Sequence, residues 1–123
     1  MKTYSGTYDL EERTATFGEN IIGLFKNIKS GTITTPIILQ LIRSGTSIGA
    51  NYMEANGSSS KKDFRNKIYI YICKKESKET MHWLRMLKTA SKEFKVEIIK
   101  LFQEANELTL IFNKITHTLD GRI

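Results

Sequence analysis

One cysteine, one proline and two histidines are all that the 123 residues hold of three types that often dictate architecture or chemistry. With Cys73 alone, no intrachain disulfide can form, and the fold must rest on burial of apolar surface. The length suits one core rather than two, so residues 1–123 are expected to form a single domain. No window approaches the roughly 18 consecutive apolar residues of a membrane span. The opening MKTYSGTYDLEERTATFGEN has no apolar run of the signal-peptide kind. The expected compartment is therefore the cytoplasm, with no membrane partner. Strand signals are nearly missing as well: GTITTPIIL is the one such stretch, and Pro36 within it argues against a central strand. Acidic residues are in deficit, 13 against 19 basic, for a net charge of +6. Residues 1–60 hold five of each sign, so the entire surplus lies in residues 61–123. Such asymmetry bears on partners and favours nucleic acid or another anionic surface.

What the chain does have is helical periodicity. Asp9 and Glu12 have capping-box spacing, and Leu10, Phe17, Ile21, Leu24, Phe25 and Ile28 recur at helical intervals, predicting a helix over 9–30. Thr35 before Pro36 reads as an N-cap with proline at the first helical position, opening a helix over 36–56. Ser60 and Asp63 repeat the capping spacing and start a long helix over 61–89, after a turn containing the three serines at 58 to 60. Ser91 is placed to cap a fourth helix over 92–119, whose Ile98, Leu101, Phe102, Ala105, Leu108, Phe112, Ile115 and Leu119 form one face. Ile99 and Leu110, flanking Asn106 on a second arc, imply a second neighbour and hence self-association. Four amphipathic segments with short connections predict an all-α fold, an antiparallel up-down-up-down four-helix bundle.

The second helix mixes apolar, small and polar residues in an ordered way. Ile37, Ile38, Leu41, Ile42, Ile48, Tyr52 and Ala55 share one arc, and Gly45 and Gly49 fall in its middle. A glycine in a helix interior costs about 1 kcal/mol relative to alanine, so either another helix approaches closely there or the glycines are merely tolerated near the helix end. Gln40, Arg43, Ser44, Ser47, Asn51 and Glu54 form a polar stripe, open to two readings: a solvated face or a contact with another subunit. Arg43 and Glu54 are about 16 Å apart along the axis and cannot pair with each other. In the third helix Glu76 and Glu79 project into the apolar arc of Phe64, Ile68, Tyr69, Ile72, Trp83, Met86 and Leu87. Carboxylates there need cations or donors. Arg43 is the economical partner, and Lys75, one turn from Glu79, is the local alternative. Arg43, Gly45, Gly49, Asn51, Glu54, Glu76 and Glu79 are accordingly assigned to structure and assembly.

Catalytic patterns are sparse. Glu79 and His82 have the Glu-x-x-His spacing of di-iron bundles, but such sites need a second copy, and His117 is preceded by Lys114 at the matching position. Cys73 lacks a setting that would lower a thiol pKa, and no phosphate loop or Ser-His-Asp pattern occurs. The expectation is a non-enzyme with no metal and no cofactor. The cations are more informative. Lys67, Lys74, Lys78 and Arg85 fall within about 40° of one another over about 27 Å of the third helix, with Lys61, Lys62 and Arg65 at its start, where cations oppose the helix dipole. These seven residues form a candidate nucleic-acid-binding stripe, with a solvated face as the plain alternative.

YDLEERT at 8–14, QLIRSGTSIGANYMEA at 40–55, SKKDFRNKIYIYICKKESKETMHWLRML at 60–87 and EANEL at 104–108 together resemble the bacterial proteins encoded in 23S ribosomal RNA intervening sequences, the S23 family. The fold is also similar to that of the accessory variability determinant of diversity-generating retroelements, a basic homopentamer that binds a reverse transcriptase and nucleic acid. The resemblance implies a four-helix protomer, a ring-like homopentamer, and a role with RNA or DNA or with a protein partner such as a reverse transcriptase or another acidic protein. It brings no catalytic residues. Where the family usually has Arg or Lys after GANY, this chain has Met53, one positive charge fewer.

Overall fold

Four helices contain most of the residues that the computed structural model describes, which are 10–57 and 63–121: α1 (Leu10–Phe25), α2 (Thr34–Gly57), α3 (Asp63–Ala90) and α4 (Lys95–Asp120). Asp9 and the serines at 58 to 60, expected at a cap and a turn, lie outside the described residues, as do Lys61 and Lys62. Each helix packs on its sequence neighbours, and α1 meets α4 more sparsely to close the ring, so the chain runs up, down, up and down around one core. That core takes Leu10, Phe17 and Ile21 from α1, Leu41 and Ile48 from α2, Leu84 and Leu87 from α3, and Ile98, Leu108 and Phe112 from α4.

The helix ends differ from the sequence reading where other backbone bonds compete. α1 stops at Phe25 rather than near residue 30, because the next amides turn inward more tightly: Asn27 N–H donates to Leu24 O at 3.2 Å and Ile28 N–H to Phe25 O at 3.3 Å. Ile28 still packs on the core, so its spacing was a burial signal but not a helical one. α2 begins one residue before the expected Thr35 cap, and the Thr35 hydroxyl instead accepts the Gly31 N–H at 2.9 Å. α4 begins at Lys95. Ser91 does not cap it; the Ser91 hydroxyl accepts the Glu93 N–H at 3.3 Å, and Phe94 then turns the chain in the left-handed region with φ 60°. That conformation costs a non-glycine residue about 1–2 kcal/mol, and the packing of the Phe94 ring against the core offsets it.

α3 is rotated relative to the arc drawn from the sequence. Its buried face is Ile70, Cys73, Glu76, Ser77, Thr80, Leu84 and Leu87, while Ile68 is 43% exposed. The middle of this face is polar but satisfied: Ser77 donates to Cys73 O at 2.9 Å and Thr80 to Glu76 O at 2.8 Å.

Candidate functional site

Two features assemble around α3: a charged seam with α2 and a basic edge toward α4. At the seam, Ser44 and Thr80 are fully buried and share a hydrogen bond of 2.9 Å between their hydroxyls. One residue back on α2, Arg43 reaches across to α3. Its guanidinium donates to Glu76 Oε1 at 3.2 Å and to Glu79 Oε2, and its Nε donates to Gln40 Oε1 at 3.3 Å. The Trp83 indole N–H donates to the same Glu79 oxygen at 3.0 Å. The indole bond, then the guanidinium, hold the Glu79 carboxyl below its ordinary range. Glu76 is almost wholly buried, so Arg43 is its counter-charge. The cation is thus Arg43, and no described ion pair joins Lys75 to either carboxylate.

The rest of the polar stripe divides. Asn51 donates to Ser47 O at 2.8 Å and lies within 2.9 Å of Ser47 Oγ, a bond inside α2. Glu54 is exposed and makes no ion pair among the described residues. Gly45 and Gly49 face α1. A Cβ at Gly49 would sit 3.3 Å from Thr14 Oγ1 and 3.4 Å from the Thr14 backbone, and one at Gly45 would sit 3.0 Å from Ile21 Cγ1.

A second charged clamp was not foreseen. Arg13 on α1 binds Glu104 on α4 through two bonds, 2.7 and 2.9 Å, and Glu107 through a third at 2.5 Å, across the thinnest contact of the ring. Two acids three residues apart on one helix edge were the available signal, although Lys100, one turn before Glu104, offered a local partner.

The basic edge is uneven. Lys67 is drawn inward, its ammonium 3.0 Å from Asp120 of α4, and the Tyr71 hydroxyl donates to that same carboxylate. The tyrosine bond, then the lysine, keep the Asp120 carboxyl below its usual range. Lys74 lies over the Tyr71 ring at 5.8 Å. Beyond it Lys78, Arg85 and Lys88 are exposed and enter none of the described ion pairs; Arg65, at the other end of the helix, is exposed as well. Past Lys88, the groove between α3 and α4 is lined by Leu84, Arg85, Lys88, Ile99, Phe102 and Gln103. Lys61 and Lys62 lie outside the described residues.

For catalysis the arrangement offers little. Glu79 is committed to Arg43 and Trp83, while the His82 ring stands edge-on to Trp83 with centroids 4.8 Å apart. Among the described residues no group of three or more His, Cys, Asp or Glu could hold a metal ion. Cys73 is buried beside Ile48 O, and burial pushes its thiol pKa up to about 12, far from a reactive thiolate. No described helix is long and apolar enough to cross a membrane.

The model of the 23S rRNA-intervening sequence protein family matches residues 8–114. The fold is similar to the crystal structure of a protein with unknown function from the S23 ribosomal protein family of Bacteroides thetaiotaomicron VPI-5482. That likeness has a TM-score of 0.73 at 25% sequence identity and covers 86% of this chain and 96% of that one. No curated protein matches.

Proposed function

The chain belongs to the 23S rRNA-intervening sequence protein family, and on that footing we propose that it is a non-enzymatic, self-associating bundle that grips the backbone of structured RNA or DNA along the α3 edge. One observation carries this reading: Lys74, Lys78, Arg85 and Lys88 run along one edge of α3 free of any described ion pair, with Lys67 and its Asp120 partner at one end. Lys74 to Arg85 alone extends about 16 Å along the helix. Phosphates recur every few Å along a nucleic-acid strand, so such a row can meet several of them. Contacts of this type fix position without reading sequence, and the binding is therefore non-specific. Copies in a ring, a homopentamer by resemblance, would multiply the contacts through avidity.

If each engaged protomer neutralises about three phosphates, the log-log dependence of affinity on salt has a slope of about −2 to −3 per protomer. Fluorescence anisotropy with a labelled RNA hairpin at a series of salt concentrations measures it. A salt-independent affinity contradicts the reading. Binding to an acidic protein such as a reverse transcriptase, with no binding to RNA or DNA at low salt, would favour a scaffold role instead.

A further inference from the structure

Building on the backbone-binding reading above, we propose that the groove between the last turns of α3 and the first turns of α4 seats one unpaired nucleotide, so that single-stranded or looped nucleic acid is bound in preference to duplex. The groove has a volume of about 490 Å³, inside the roughly 300–1,000 Å³ span of small-ligand pockets. Its floor is apolar, with Leu84 buried and the Phe102 ring half-buried, and Ile99 stands 37% exposed at the rim. One wall carries two exposed cations, Arg85 and Lys88, and the exposed carboxamide of Gln103 stands among the lining residues.

This is the chemistry of a nucleotide in negative. A base has a flat face that stacks on an aromatic ring, an edge that exchanges hydrogen bonds with a carboxamide, and a phosphate that guanidinium and ammonium groups attract. Arg85 belongs both to the basic edge and to the groove. A strand following Lys74 and Lys78 therefore arrives at Arg85 with a base free to turn toward Phe102, provided that the base is not already paired. Bases inside a duplex are stacked and paired, so their flat faces are closed to such a groove. A second groove, about 360 Å³ between α1 and α4, has no such excess of positive charge: Glu97 and Lys100 line it together and cancel.

The test compares a labelled single-stranded RNA with the same strand in a perfect duplex, at matched salt, by fluorescence anisotropy. The unmodified protein is expected to bind the single strand at least severalfold more tightly. Phe102→Leu, which keeps apolar packing but removes the ring, should weaken single-strand binding roughly tenfold, the scale of one lost base stack, and leave duplex affinity within about twofold. Gln103→Ala, at an exposed position and without change of charge, should give the same pattern should Phe102→Leu prove unstable. Lys74→Glu combined with Lys78→Glu should weaken both forms together. Equal affinity for single strand and duplex, or equal losses for both forms from Phe102→Leu and Gln103→Ala, overturns the proposal while leaving backbone binding intact. Absence of binding to either RNA at low salt overturns both. If polyglutamate binds and these two variants weaken it while RNA binding is unmoved, the groove seats an acidic protein segment and the nucleotide proposal fails.

Discussion

Arg43 illustrates how one side chain can hold two helices together without lying deep in the core. Its own side chain is 47% exposed, yet the Glu76 it serves is only 10% exposed, so the carboxylate depends on the arginine more than the reverse. An exposed pair is worth at most about 1 kcal/mol and loss of one partner of a buried pair costs about 3–5 kcal/mol. Arg43→Met therefore belongs between these, at about 1–3 kcal/mol, and should lower Tm by roughly 4–12 °C. Glu79→Gln, whose amide oxygen can still accept from Trp83, should cost less. The seam also carries a pH signature. Because the folded Glu79 pKa is depressed, its contribution is fully present above the ordinary glutamate pKa and is lost as pH falls through the lower folded value. Thermal melts between neutral pH and about pH 3 should thus show a stability loss below about pH 4.5 that Glu79→Gln reduces. A melt profile identical for the two proteins contradicts this account of the seam.

At the scale of elements, the α1–α2 crossing depends on the absence of side chains. Gly49 lies against the Thr14 backbone, and the Thr14 hydroxyl that would have to yield is already bonded to Leu10 O at 2.7 Å. Gly49→Val should therefore cost about 1–3 kcal/mol by overpacking. Gly23→Ala is the control: nothing lies within 4 Å of its Cβ position, so it should gain up to about 1 kcal/mol from helix propensity. Denaturant melts giving the same sign for both would disprove the close approach. This crossing was legible in the sequence, because two glycines in the middle of an apolar arc have few other uses. The α3 core face was not. Between Ile70 and Leu84 its buried positions are Cys73, Glu76, Ser77 and Thr80, which hydrophobicity cannot distinguish from a solvated face, so the apolar arc drawn from Ile68, Tyr69 and Ile72 pointed the helix off its true axis. Side chains bonded to the preceding turn conceal burial in this way. The Arg43 seam was nonetheless readable, since two carboxylates near an apolar arc demand a cation from elsewhere. The Lys67 pairing was hidden because Asp120 lies 53 positions away in sequence, where periodicity says nothing about contact.

For the whole molecule the surface sorts into two kinds. On the outer side of α1 and α2, Ile22, Leu39 and Met53 are 44%, 61% and 57% exposed, with Met53 standing where the resemblance leads one to expect a cation. This face supports self-association: light scattering at micromolar concentration should give a mass several times the 14.1 kDa of one chain, and Leu39→Glu with Met53→Glu should reduce it. A monomer at every concentration contradicts that part of the proposal. On the other side, the basic edge of α3 and the groove beside it remain open in the protomer, and the proposal is that binding is local to that edge rather than spread over the exposed cations of α4 as well. The most direct test of that claim is positional charge reversal at constant net charge. Lys74, Lys78 and Arg85 are changed together to glutamate in one variant, and Lys26, Lys29 and Lys100, exposed and away from this edge, in another. Binding of a structured RNA to both is then measured by anisotropy at low salt, with helical content and oligomer mass checked to be unchanged. The α3 variant should lose binding and the matched variant should keep most of it; equal losses from the two would contradict a binding edge on α3.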